Sequence, residues 1–194
     1  ITIFTNTHKK LSKEQVINQA FKFHAQGNIS EAAKLYQYFI NQGFKDHRVF
    51  SNYGVILKNL GKLKEAEITY RKAIEIKTDY AEAHNNLGNI LKDLGKLKEA
   101  ELSTRKAIQI KTDYAEAHYN LGNILKDLGK QQEAEITYRK AIEIKTDYAE
   151  AHNNLGNILR DLGKLQKAEL STRKAIQIKT DYAEAHNNLG NILR

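Results

Sequence analysis

Apolar residues along most of this chain recur at steps of three and four, and the pattern restarts with a 34-residue period. In the stretch that opens at Ala81, residues Ala83, Leu87, Ile90, Leu91 and Leu94 fall on one stripe of a helix. Gly95 follows Leu94 and suits the position just past a helix end, where a residue of positive φ is favoured. Leu97, Ala100, Ala107, Ile108 and Ile110 supply a second stripe and predict a second helix. Gly88 and Ala100 are small, which lets the two helices approach closely. The next helix is expected to open at Asp113-Tyr114-Ala115-Glu116, where an acid followed three places later by Glu has the form of a capping box.

The repeat itself is nearly exact. Residues 149–182 match residues 81–114 at 31 of 34 places, differing only at Lys92/Arg160, Lys98/Gln166 and Glu99/Lys167. Residues 115–148 differ from the same string at seven places. The block 47–80 keeps the frame with a divergent first half, and 13–46 is a weaker copy held by Ala20, Gly27, Ala32 and Tyr36. Residues 1–12 form an N-terminal flank, and 183–194 read as the first helix of a sixth copy. A longer, 68-residue period is also present, because 65–80 recurs at 133–148 while 99–114 and 167–182 share another version. One hairpin cannot bury its own apolar face, but stacked copies bury a continuous core. The expected fold is therefore all-α, a right-handed α-solenoid of 34-residue helix-turn-helix repeats.

Composition narrows the function. The chain has 194 residues without proline, cysteine, methionine or tryptophan, so disulfides and thiolate metal sites are excluded. Lys and Arg number 31 against 23 Asp and Glu, a formal charge of +8, which favours acidic partners. The basic residues alternate with acids through every repeat, which argues against nucleic acid. No apolar run approaches the length of a membrane-spanning helix, and no secretory signal opens the chain. A soluble cytoplasmic fragment of a longer protein is expected.

The residues above resemble the tetratricopeptide repeat. Leu87-Gly88, Leu91, Ala100 and Ala107 sit on its pattern. So do Leu121-Gly122, Leu125, Ala134 and Ala141, and again Leu155-Gly156, Leu159, Ala168 and Ala175. The resemblance covers residues 13–194, and the string AEAHNNLGNILKDLGK is similar to the superhelical region of O-linked N-acetylglucosamine transferases and to bacterial arrays of the same repeat. It implies a non-catalytic scaffold that binds an extended peptide in a concave groove. Two departures stand out. The family's aromatic at the fourth place of the repeat is His84, His118, His152 and His186, and the proline usual between repeats is Thr78, Thr112, Thr146 and Thr180. Without proline, a continuous helix through the junction is an alternative, which would invite swapping and homo-oligomers.

The candidate binding residues form rows. Asn52, Asn86, Asn120, Asn154 and Asn188, preceded by Asn18, lie 34 apart. A second row, three places on, is Asn89, Asn123, Asn157 and Asn191. A third, partial row is Asn85, Asn153 and Asn187, with Tyr119 at the matching place. The resemblance puts this face on the inner groove, where amides can meet a peptide backbone with donors and an acceptor. The competing reading is a solvated face whose amides bond between adjacent helices. Lys92 and Lys126, followed by Arg160 and Arg194, extend the face and suggest a carboxylate clamp. A neighbouring Asp93, Asp127 or Asp161 favours a salt-bridged surface instead.

No catalytic residue, cofactor or metal site is expected. One His per hairpin does not give the convergent ligands that zinc needs, and a packing role suits these histidines better. Arg71-Lys72, Arg105-Lys106, Arg139-Lys140 and Arg173-Lys174 read as outer-face charge. The expected partner is a protein or peptide.

Overall fold

The computed structural model describes residues 12–194, so most of the N-terminal flank at 1–12 lies outside the described residues. Among the described residues there are eleven α-helices and no strand. They run α1 Lys13–Ala25, α2 Ile29–Asn41, α3 His47–Asn59, α4 Leu63–Ile76, α5 Ala81–Asp93 and α6 Leu97–Ile110. Then follow α7 Ala115–Asp127, α8 Gln131–Ile144, α9 Ala149–Asp161, α10 Leu165–Ile178 and α11 Ala183–Ile192. The chain divides into two compact units at 78/79.

In the N-terminal unit, the hairpins α1–α2 and α3–α4 bury Val16, Ile17, Ala20, Ala32, Leu35, Tyr36, Phe39, Val49 and Ile56. In the C-terminal unit, α5–α6, α7–α8 and α9–α10 are hairpins that stack through their flanking helices, with α11 against α10 and α9. Leu121, Leu125, Tyr138, Leu155, Ile158 and Leu159 form its central cluster. Each such side chain contributes about 1.5–3 kcal/mol on burial. Within this unit α5 touches α7 and α9 touches α11, while the second helices of neighbouring hairpins are not comparably apposed. At these two steps the first helices approach each other closely, while the second helices leave grooves between α6 and α8 and between α8 and α10.

The turn within each hairpin follows the sequence reading. Gly95 has φ 75°, and the Lys96 N–H beyond it donates back to the Leu91 carbonyl at 2.8 Å. This satisfies an otherwise orphaned helix carbonyl, and positive φ is the reason for glycine there.

The two versions of the repeat differ where the helices cross. A Cβ at Gly122 would meet the Tyr138 ring at 2.5 Å, whereas one at Gly88 would run into Thr104 Oγ1 and stand 3.3 Å from the Ala100 carbonyl. In the Thr hairpins such a Cβ at Gly88 or Gly156 stands 3.3 Å from the Ala100 or Ala168 carbonyl. There Ser103 and Ser171 hydroxyls donate across to the His84 and His152 carbonyls, each at 2.9 Å. In the Tyr hairpins Thr69 and Thr137 bond back along their own helix, to Glu65 and Glu133 carbonyls. The 68-residue period is thus an alternation of two hairpin contacts.

The junctions set aside the alternative of a continuous helix and correct the expected cap. Helices end at Ile76, Ile110, Ile144 and Ile178, so no helix continues through Thr78, Thr112, Thr146 or Thr180. Lys111 turns out of the helix into extended backbone, φ −134° and ψ 96°, and Lys77, Lys145 and Lys179 do the same. The capping box is also absent. Tyr114 occupies the N-cap of α7, with no side-chain cap bond. The carbonyl of Thr112 instead accepts the His118 ring N–H at 2.9 Å, and Lys111 Nζ sits 5.2 Å over the Tyr114 ring. An internal histidine bond and a cation–π contact stand in place of proline and the cap.

Candidate functional site

The asparagine rows lie on the first helices of the hairpins, and the C-terminal unit shows what they touch. Asn85 is fully buried. Its Nδ2 points to Glu116 Oε1 of the next repeat at 3.4 Å and to Tyr114 Oη, the last residue of its own repeat, at 3.5 Å. Its Oδ1 accepts the Asn120 amide at 3.0 Å. The same arrangement recurs two repeats on, where fully buried Asn153 donates to Glu184 at 3.0 Å and accepts from Asn188 at 2.9 Å. The intervening interface uses tyrosine. Asn154 donates to Asn123 Oδ1 at 2.9 Å and to the Tyr119 hydroxyl at 3.3 Å, and Tyr138 donates to the same Asn123 oxygen at 2.8 Å. Tyr119 also packs on Tyr148, ring centroids 5.0 Å apart. In the N-terminal unit Asn52 hydrogen-bonds the Tyr36 hydroxyl.

These bonds cross between repeats, so Asn120, Asn123, Asn154 and Asn188 are rungs that join one repeat to the next. Asn86, Asn89 and Asn157 are partly exposed and take no part in the rungs. Asn157 Oδ1 is a buried acceptor without a partner among the described residues. Its hairpin carries Thr172 where the neighbouring one has Tyr138, the hydroxyl that serves Asn123.

Burial pushes the Tyr114 hydroxyl up to about 12, with Glu116 and Glu82 adding to the shift. Burial also raises Tyr138, Tyr148 and Tyr119. The hydroxyls are therefore protonated at neutral pH, and Tyr138 donates while Tyr114 and Tyr119 accept in the bonds above. Lys92 lies 3.5 Å from Asp93, and Arg160 2.8 Å from Asp161. Lys126 is exposed. The cations at the end of the face are thus largely met by their own neighbours.

The second helices carry an ion ladder rather than loose charge. Glu101 binds Arg105 of its own helix and Lys130 of the next repeat at 2.8 and 2.9 Å, and Arg105 reaches Glu133 at 2.7 Å. Glu135 repeats this with Arg139 and Lys164. Burial opposes ionisation of both glutamates, but the bonds and charges of their Lys and Arg partners outweigh it and hold them below the ordinary value. His118, His152 and His186 bond the junction carbonyls of Thr112, Thr146 and Thr180. No group of acids and histidines among the described residues could hold a metal. None of their helices is long and apolar enough to cross a membrane.

Tyr114, Tyr119, Tyr138, Glu116 and Glu184 belong to the rungs, and the sequence reading did not single them out as site residues. The exchange of Asn85 and Asn153 for Tyr119 in alternate copies was the available signal.

A family model described as TPR repeat matches residues 54–95, 88–129, 122–163 and 156–193. No curated protein matches the chain. Among solved structures, MamA of Desulfovibrio magneticus RS-1 superposes with TM-score 0.78 at 17% identity, over 88% of this chain and 97% of that one. YrrB, a TPR protein with an unusual peptide-binding site, gives 0.76 at 22% identity, over 91% of each chain. TTC0263, a thermophilic TPR protein in Thermus thermophilus, gives 0.70 at 16%, over 94% of this chain and 99% of that one. At these identities the likeness is one of fold.

Proposed function

The chain belongs to the tetratricopeptide repeat family, and we propose that it is a non-catalytic protein-interaction scaffold whose first-helix face takes an extended peptide. One observation carries this reading. In the C-terminal unit the rows containing Asn86, Asn120, Asn154, Asn188 and Asn89, Asn123, Asn157 all lie on the first helices of the hairpins, α5, α7, α9 and α11. Peptide N–H and C=O groups repeat along an extended chain, and amides can pair with both. Asn52 presents the same chemistry in the N-terminal unit.

The rungs divide the labour among these residues. Asn120, Asn123, Asn154 and Asn188 are held in fixed orientation by inter-repeat bonds. Held amides keep their spare lone pairs or protons aimed without an entropy cost on binding. Asn86, Asn89 and Asn157 supply the less committed groups, and Lys92 and Lys126 lie one turn beyond. YrrB is described as a peptide-binding TPR protein, which agrees with this use of the fold.

The test is peptide binding by fluorescence anisotropy, using a pool of labelled extended peptides. Replacing Asn86, Asn89 and Asn157 together by Ala leaves the rungs intact and should weaken binding about tenfold or more. Unchanged affinity in that triple variant, with an unchanged melting curve, removes this face as the site.

A further inference from the structure

The second helices carry a periodic row of exposed apolar residues that the peptide-binding reading does not use. Ile68, Leu102, Ile136 and Leu170 hold equivalent places in successive repeats and are 63–70% exposed. Within each unit, splayed second helices leave a groove beside this row. Between α2 and α4 it holds Ile40, Phe44, Ile68 and Ile76. Between α6 and α8 it holds Ile108, Leu121 and Ile136. Between α8 and α10 it holds Ile142, Leu155, Leu159 and Leu170, in a volume of about 850 Å³.

The three grooves are all lined by apolar side chains but differ in charge. Beside α2–α4, Lys72 bonds Glu75, and Lys45 also lies near that carboxylate. Beside α6–α8, Arg105 bonds Glu101 and Glu133, Arg139 bonds Glu135, and Lys140 bonds Glu143. Beside α8–α10 the pairing fails. The residue equivalent to Glu133 is Lys167, and the residue equivalent to Glu143 is Gln177. Lys174 accordingly donates to Gln177 at 3.0 Å, a neutral partner. The groove is also lined by Glu135, Arg139 and Glu143, but these are matched, Glu135 by Arg139 and Lys164 and Glu143 by Lys140, whereas neither Lys167 nor Lys174 forms an ion pair among the described residues. Lys167, Leu170 and Lys174 fall at i, i+3 and i+7, on one face of α10.

We propose that the groove between α8 and α10 docks an acidic amphipathic segment of a partner protein. The apolar side chains of that segment rest on Leu170, Leu159 and Ile142, and its carboxylates meet Lys167 and Lys174. Charge complementarity selects this groove over its two sisters, whose cations are already matched. The floor is built by His152, Leu155 and Leu159, on the side of α9 opposite Asn154 and Asn157. The site is therefore separate from the amide rows, and neither proposal depends on the other.

The probe is a fluorescent amphipathic peptide with leucines on one helical face and glutamates elsewhere, titrated into the full chain. A leucine–lysine peptide of the same pattern is the control. The leucine–glutamate peptide should bind and the control should not. Lys167→Glu combined with Lys174→Gln should weaken binding about tenfold or more, as should Leu170→Ser. Ile136→Ser and Asn86→Ala should leave it unchanged. Circular dichroism checks that these surface variants stay folded. No binding, equal binding of both peptides, or indifference to the Lys167/Lys174 change overturns the proposal. Self-association that Leu170→Ser abolishes, without peptide binding, overturns it in favour of a second copy of the chain.

Discussion

The Nε2–H of His118 donates to the carbonyl oxygen of Thr112 across 2.9 Å, tying the start of one repeat to the end of the one before it. His152 and His186 make the same bond to Thr146 and Thr180, at 3.1 and 2.9 Å. The two departures from the family pattern, His for an aromatic and Thr for proline, are thus joined in one contact. The histidine fixes from outside the backbone what proline would fix from within.

Two substitutions separate these roles. His118→Phe keeps an apolar ring but loses the donor, and should cost about 1 kcal/mol. Thr112→Pro should raise stability by about 0.4–1 kcal/mol, because the unfolded chain loses freedom. Two features of the native backbone favour it. Lys111 has the extended conformation that precedes proline, and the Thr112 N–H donates to no backbone carbonyl among the described residues. Urea titrations followed by circular dichroism check both signs. A destabilised Thr112→Pro variant would show that the junction needs more than a bent backbone.

His152 gives the junction a pH dependence. Burial, aided by the Lys174 charge, lowers its pKa, and the Thr146 carbonyl only partly offsets this. A folded pKa below the unfolded value of 6.5 means that the unfolded chain binds the proton first. Stability should be constant above that pH and fall as pH drops below it, down to the folded pKa. His152→Gln removes this contribution. Melting temperatures of the two proteins should therefore converge on acidification from pH 7 to 5, and parallel curves would contradict the shift.

The alternating hairpin contact makes opposite predictions at equivalent places. Tyr138 is fully buried and donates to Asn123, so Tyr138→Phe should cost about 1 kcal/mol. Tyr138→Thr adds a cavity and should cost about 3 kcal/mol. Thr104 is equally buried, yet its hydroxyl has no partner among the described residues. Thr104→Val should therefore be neutral or stabilising by up to about 1 kcal/mol. Thermal melts of the three variants decide this, and a costly Thr104→Val would reveal a bond made by that hydroxyl.

The helices, their glycine ends and the close approach at Gly88 were legible because each depends on residues a few places apart. The rungs were not. Asn120 meets Asn85 and Asn154 meets Asn123 through bonds that span 35 and 31 residues, and neither partner reveals the other locally. Asp113 and Glu116 misled for the opposite reason. A local capping pattern was present, but Glu116 instead bonds Asn85 of the preceding repeat. Leu170, like the equivalent Leu102, lies off the apolar stripe of its helix and is exposed, but the groove beside it depends on the spacing of neighbouring second helices, which no local pattern shows.

The two kinds of inter-repeat bond should respond differently to salt. Asn153 is inaccessible to solvent and holds Asn188 and Glu184. Asn153→Ala leaves both groups short of a partner and should cost about 2 kcal/mol, with little change in added salt because the Asn188 bond is between neutral amides. Lys164 bonds Glu135 at 2.7 Å, but its side chain is 44% exposed. Lys164→Ala should cost less than about 1 kcal/mol, discounted by solvent, and the loss should disappear near 1 M salt, where the screening length is about 3 Å. Urea melts of both variants at low and high salt make the comparison. If the Lys164 variant stays destabilised in high salt while the Asn153 variant recovers, the amide rungs do not hold the repeats together and the outer ion ladder does.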